Sequence, residues 1–524
     1  MDRMHKIISL EKAKNELSKA EKVGQFFMPA AFINDTEEEI RQLEDLIKNH
    51  GVGGLCFFHS RASAATNFEG KKEIVRNENS FDTLKKLVQR YQSVSKHPLF
   101  IAIDAEWGLA MRIENTPQYP YAITLGAIQD NTGLIYQVGK NIAKDCKKAG
   151  IHWNLSPVVD INNNPNNPVI GYRSFGDDKK KVAQKALAYV KGTESEGVLT
   201  SIKHFPGHGD TDVDSHLGIP VINKTKEELL NNELYPFQEL INEGVDAVMV
   251  GHLSVPALAA GKSTPSSISK EIIKDLLRNK MGFTGVVISD ALNMHAVSNN
   301  FPVKGELEWL AFDAGNDILC FAEHTEDAID MILQKATNEQ IEESFERVWR
   351  LKQKAIAKET TEPDKELVYD THLNRELAEQ SITLYKGSEN EITRFGKSDY
   401  CTLTFKRYNE LRHKDDIISS LAISRNQIKN EENILLLLTP PQIKPNNNFG
   451  FLPEEIQFIN EVLSTKNVVL YHFGNPYALK LFCIENTKAT VIVYQNFKEF
   501  QDVATAHFQG KIKSVGKLPV KFKI

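Results

Sequence analysis

Residues 201–220, SIKHFPGHGDTDVDSHLGIP, concentrate more reactive side chains than any other stretch of this chain. Lys203, His204, His208, Asp210, Asp212, Asp214 and His216 are seven ionisable groups within fourteen residues, held among Pro206, Gly207 and Gly209. Proline and glycine forbid a helix here, so the segment reads as a loop leaving a short β-branched strand, a usual place for catalytic groups. Four chemistries compete for it. A zinc pair at His204 and His208 would need a helix to bring the two rings to one side, and Pro206-Gly207 prevents one. A calcium loop built on Asp210, Asp212 and Asp214 fails because Ser215 stands at the required glycine and Val221 at the closing glutamate. A chitinase-like acidic strand end would close on a glutamate, and His216 occupies that place. A His-Asp dyad needs no missing residue: Asp214 would orient His216 so that its imidazole gives and takes a proton near neutral pH. A plain polar surface loop is the unreactive alternative.

KHFPGHGDTDVDSH resembles the signature of family 3 glycoside hydrolases, in the β-N-acetylglucosaminidase branch that includes peptidoglycan-recycling and chitooligosaccharide-trimming enzymes. The resemblance implies a hydrolase with a (β/α)8 barrel and a smaller α/β domain, acting on a small carbohydrate with a terminal β-linked N-acetylglucosamine and requiring no metal or cofactor. It extends to IAIDAEWGLAMR, where the family's matching aspartate and arginine, here Asp104 and Arg112, hold the sugar. Trp107 stands where the family more often has a second glycine. Arg173, in the Asn- and Pro-rich stretch LSPVVDINNNPNNPVIGYRSFG, matches a second sugar-binding arginine. Ser289-Asp290, closing GFTGVVISD, match the catalytic nucleophile. Without the resemblance, Asp104 and Arg112 could be a salt bridge, Arg173 a loop pin and Asp290 a helix cap.

The elements that must position these groups are legible as alternation. Eight short β-rich runs, Val23–Met28, Val52–Phe58, Leu99–Asp104, Ile151–Val159, Thr200–His204, Asp246–Gly251, Val286–Asp290 and Asp317–Phe321, are separated by amphipathic stretches. Clear helices are 37–49, 80–95, 179–196, 226–243 and 269–280. Eight such units point to a (β/α)8 barrel, whose site gathers at the C-terminal strand ends. Chemically suggestive residues follow five of the eight runs. After a helix from 338 to about 358, the charged segment ETTEPDKE reads as a linker. Five more runs, from Ile382, Thr402, Ile434, Val468 and Thr490, predict a smaller α/β sandwich with a mainly parallel sheet; it resembles the family's second domain, and that resemblance implies a final strand at GKLPVKF. The expected division is 1–357 barrel, 358–378 linker and 379–524 sandwich.

With 63 basic against 69 acidic residues, the net charge is −6, which argues against nucleic acid or an anionic membrane as partner. The five cysteines are odd in number and widely spaced, giving neither a disulfide framework nor a metal cluster. Nothing is long and apolar enough for a signal-peptide core or a membrane span, so the chain as given reads as cytoplasmic.

Together these readings predict a retaining, exo-acting β-N-acetylglucosaminidase. Asp290 is its nucleophile, His216 with Asp214 its acid/base, and Asp104, Arg112, Arg173, Lys203 and His204 its sugar-binding groups. A neutral imidazole in the second step also leaves phosphate an admissible acceptor, hence phosphorolysis. The alternatives are a family 3 β-glucosidase or β-xylosidase, a substrate-assisted hexosaminidase, and a catalytically silent glycan-binding protein.

Overall fold

A computed structural model describes residues 7–59, 77–211, 218–356, 366–406 and 424–521. The chain folds into two compact units. The first comprises Met1–Tyr119, Ile135–Ile161 and Ala186–Tyr369; the second Pro120–Leu134, Asn162–Lys185 and Asp370–Ile524. The expected barrel segment therefore gives up two stretches to the second unit.

Eight parallel strands close into a ring in the first unit. They are Phe27–Met28 continuing as Ala30–Phe32 (β1), Gly54–Phe58 (β2), Phe100–Ile103 (β3), Trp153–Asn154 with a bridge at Val158 (β4), Leu199–Thr200 continuing as Ile202–Phe205 (β5), Ala247–Val250 (β6), Val286–Ser289 (β7) and Leu319–Cys320 (β8). Each pairs with the next, from Ala30 opposite Cys56 through Val248 opposite Val287 to the Ile288–Ile318 bridge, and Phe27 opposite Leu319 joins the last strand to the first. Both faces of such strands are covered, which is why they read as near-continuous apolar runs; Val286, Val287 and Ile288 are all buried. The interior is filled by side chains and is not a pore.

Three expectations change here. Val23 and Gly24 end a helix, Lys19–Gly24, whose start is fixed by a Ser18/Glu21 capping box, and the first strand begins only at Phe27. The single helix expected over 226–243 is two, Lys226–Asn231 and Tyr235–Asn242, because Pro236 lacks an N–H and is tolerated only in a first turn. Part of the expected linker is ordered: Asp370 caps the helix Thr371–Ser381, accepting from the amide of Leu373 at 2.9 Å.

In the second unit Thr383–Lys386 (β9), Cys401–Phe405 (β10), Asn433–Leu438 (β11), Asn467–His472 (β12) and Ala489–Ile492 (β13) form one sheet in the order β9-β13-β12-β11-β10. Only β9 runs antiparallel. Residues 511–521 carry no strand, contrary to expectation. Pro519 has no amide to donate, but its carbonyl accepts from the amide of Asp177 at 3.0 Å, and Lys517 donates to Ala127 O at 3.0 Å. No described helix is long and apolar enough to cross a membrane.

Candidate active site

The C-terminal ends of β3 to β7 bring the charged groups of the first unit together. The ammonium of Lys203, on β5, lies 2.7 Å from Asp104 Oδ1 and 2.9 Å from Glu106 Oε1, both just past β3. The Lys203 side chain is only 2 % exposed, so this charge depends on its two carboxylates. Arg112 Nη2 reaches Asp104 Oδ2 at 3.1 Å, and the guanidinium stacks 3.6 Å above the centre of the Phe58 ring. Burial would raise the Asp104 pKa, but the charges of Lys203 and Arg112 outweigh it and hold the carboxyl below its ordinary range. The spacing of Asp104 and Arg112 was compatible with a salt bridge or a ligand clamp; they form the bridge, and Lys203 makes it part of a larger cluster.

His204 follows on the same strand. Its Nδ1 is 2.8 Å from Oδ2 of Asp160, a fully buried carboxylate past β4, and Asp160 also accepts from the backbone amides of His204 and His208. Burial pushes Asp160 up, and the hydrogen bond and charge of His204 more than reverse it. The loop that leaves β5 lies tight against β4: a Cβ on Gly209 would fall 1.6 Å from Ile161 O, so only glycine fits there. His208 Nδ1 meets Thr211 Oγ1 at 2.9 Å within that loop.

Asp290 stands at the tip of β7, half-buried, with its amide donating to Val250 O on β6 and its Oδ1 accepting from the amide of Ala291 at 2.8 Å. Desolvation acts to raise its pKa. His204, His252, the Ala291 amide and Lys203 together overcome this and bring it down to about 2, an ionised carboxylate at any ordinary pH. His252, past β6, is fully buried; its Nε2 is 2.9 Å from Ala291 O and its Nδ1 2.6 Å from Ser267 Oγ. Ala291 O can only accept, so Nε2 carries the proton and ties His252 to the residue whose amide fixes Asp290. The neighbouring Cys56 thiol and burial keep the Cys320 thiol well above its usual range.

Of the eight residues singled out from sequence, Asp104, Arg112, Lys203, His204 and Asp290 therefore come together in one unit. Arg173 belongs to the second, in the turn Gly171–Arg173, where its Nη1 is 3.4 Å from Val169 O. His216 and Asp214 lie outside the described residues. Sequence reasoning assigned no role to Glu106, Asp160 or His252. Their one signal was position, directly past a strand end. Among the described residues no group of three or more His, Cys, Asp or Glu side chains could hold a metal ion.

A strand-tip carboxylate acted on by His204, His252 and Lys203, beside a buried Asp-Lys-Arg cluster, stands at the C-terminal end of the barrel, where barrel enzymes carry their sites. The model of the glycosyl hydrolase family 3 N-terminal domain matches residues 19–351, and the chain belongs to that family. Its sequence is 35 % identical to Beta-hexosaminidase A of Pseudoalteromonas piscicida over 342 residues, 60 % of this chain and 55 % of that protein. The chain thus spans only about half the length of that relative. It is also 35 % identical to a Beta-hexosaminidase of Neisseria meningitidis serogroup C over 291 residues, 54 % of this chain and 74 % of that one. A family 3 β-N-acetylglucosaminidase from a Paenibacillus strain superposes with a TM-score of 0.76 at 26 % identity, covering 96 % of this chain and 99 % of its own.

Proposed function

We propose that the chain is a retaining, exo-acting β-N-acetylglucosaminidase that removes terminal N-acetylglucosamine from β-linked glycans such as peptidoglycan fragments or chitooligosaccharides. The observation that carries this reading is the ionised carboxylate of Asp290, kept anionic by His204, His252, Lys203 and the Ala291 amide. A nucleophile must be unprotonated to attack, and here the surroundings arrange that in advance. Its carboxylate oxygen bonds to the anomeric carbon as the glycosidic bond breaks, and His216, oriented by Asp214, protonates the departing oxygen. The neutral imidazole then takes a proton from water, which displaces Asp290 and restores it as an anion. Asp104, Arg112, Lys203 and His204 hold the sugar hydroxyls, so that binding energy goes into positioning. The names of the hexosaminidase relatives support the choice of sugar.

Turnover of p-nitrophenyl N-acetyl-β-glucosaminide tests this against the matching glucoside and xyloside. Asp290→Asn is expected to be inactive, His216→Ala to lose roughly 10²- to 10⁴-fold in kcat, and a 2-fluoro sugar to label Asp290 covalently. Preference for the glucoside would move the enzyme to the β-glucosidases, and an unlabelled Asp290 in an active enzyme would remove the covalent route. Replacing water by phosphate and looking for the sugar 1-phosphate decides whether the second step also accepts that anion.

A further inference from the structure

Lys203 and His204 are neighbours on one strand, and each is gripped by a carboxylate from an earlier strand: Glu106 past β3 for Lys203, Asp160 past β4 for His204. The second grip is the unusual one. Asp160 is 1 % exposed, and its two oxygens accept from three donors, the amides of His204 and His208 and His204 Nδ1 at 2.8 Å. An ionised carboxylate can only accept, so the proton of that bond is on Nδ1 and the imidazole has one orientation. Gly251, at the end of β6, passes close to the start of this side chain: a Cβ there would lie 3.1 Å from His204 Cβ. His204 in turn lowers the pKa of Asp290, past β7, as do His252 from β6 and Lys203 on its own strand. Asp160 from β4 bonds His204 directly, and the His208 ring on its own loop lies 5.8 Å away.

We propose that Asp160 is a positioning residue for the reaction: by accepting from the amide and from Nδ1–H of His204 it fixes the orientation of the imidazole that acts on Asp290. This rests on Asp290 being the nucleophile. While Asp290 is an anion, His204 in this orientation favours it. When Asp290 becomes an ester in the glycosyl-enzyme, the ring remains anchored on Asp160 and does not follow the lost charge. The site is therefore ready to receive the carboxylate again when water displaces it.

The test is the pH dependence of kcat/KM for p-nitrophenyl N-acetyl-β-glucosaminide in Asp160→Asn, His204→Asn and the double variant, per active site titrated with a 2-fluoro sugar. An amide at 160 offers one acceptor oxygen in place of two and can turn its N–H toward Nδ1, so the ring is released from its orientation. The expected result is a fall in kcat of roughly 10²-fold or more with a smaller change in KM, and an acid limb moved to higher pH because His204 no longer stays in place to favour the Asp290 anion. A low-field imidazole N–H resonance present in wild type should vanish in Asp160→Asn. If Asp160→Asn melts earlier yet its folded fraction keeps the wild-type pH profile and kcat, Asp160 is structural only and the proposal is overturned. If Asp160→Asn does not fold, His204→Asn, which leaves Asp160 its amide donors, carries the test: the same acid-limb shift is expected, and an unshifted limb overturns it. A double variant worse than His204→Asn alone by the full Asp160→Asn loss would also overturn it, since Asp160 would then act on its own. Asp290→Asn retaining activity is a different result; it removes the nucleophile assignment itself.

Discussion

Lys203 shows how much of this site is charge held against charge. Its ammonium satisfies Asp104 and Glu106 at once, and all three groups are largely out of water. Lys203→Met would remove the ammonium that Asp104 and Glu106 share, leaving Arg112 to hold Asp104. The expected cost is about 3–5 kcal/mol in urea unfolding at neutral pH, together with a raised KM, and adding Glu106→Gln should return part of both. A Lys203→Met protein as stable as wild type would show that water or Arg112 replaces the ammonium. Lys203, His204, Asp104, Arg112 and Asp290 were legible beforehand because each sits in a recognisable local pattern. Asp160, Glu106 and His252 escaped because what they do is defined across strands: Asp160 meets its histidine 44 positions away and His252 meets Ala291 39 positions away. No spacing rule encodes such distances.

At the level of elements, the barrel ends are tied by Asp317, which precedes β8 and is fully buried. One oxygen accepts from Arg278 at 2.5 Å and from the amide of Val287 on β7; the other accepts from Arg347 at 2.9 Å and Ser344 at 2.8 Å on the helix Asn338–Ile356. Asp317→Ala removes the carboxylate that two guanidinium groups and an amide share, and is expected to destabilise the protein by about 3–5 kcal/mol in thermal or urea melts while KM stays unchanged. A changed KM at intact stability would mean that the lower end of β8 communicates with the site. Strand and helix positions were largely legible, because buried parallel strands and amphipathic helices differ in period and length. Errors fell where a short-range signal competes with periodicity. Val23 looked like strand although Ser18-x-x-Glu21 announces a helix, and Pro236 splits a stretch whose apolar pattern runs on.

For the whole molecule, the last barrel helix is pinned by an unusual cation. Lys352 is fully buried, donates to Gln25 Oε1 and to Gly53 O, and lies 5.3 Å from the Phe100 ring centre and 5.7 Å from that of Trp349. Burial pushes its pKa down to about 7. The unfolded chain then binds the extra proton more readily between about pH 7 and 10, so stability due to this group rises with pH across that window and is lowest below it. Lys352→Met should flatten this rise; an unchanged slope in the pH dependence of unfolding would place the effect elsewhere. The division into units has a further consequence, for synthesis of the chain. Pro120–Leu134 and Asn162–Lys185 leave the ribosome before any strand of the sheet they are grouped with, and some of their hydrogen bonds come late: Gln495 donates to Thr124, and Asp177 donates to Pro519 O. Until the C-terminal third is made, these two early segments wait without those partners. A nascent chain stalled after β8 would therefore offer chaperones two sticky segments on an otherwise closable ring.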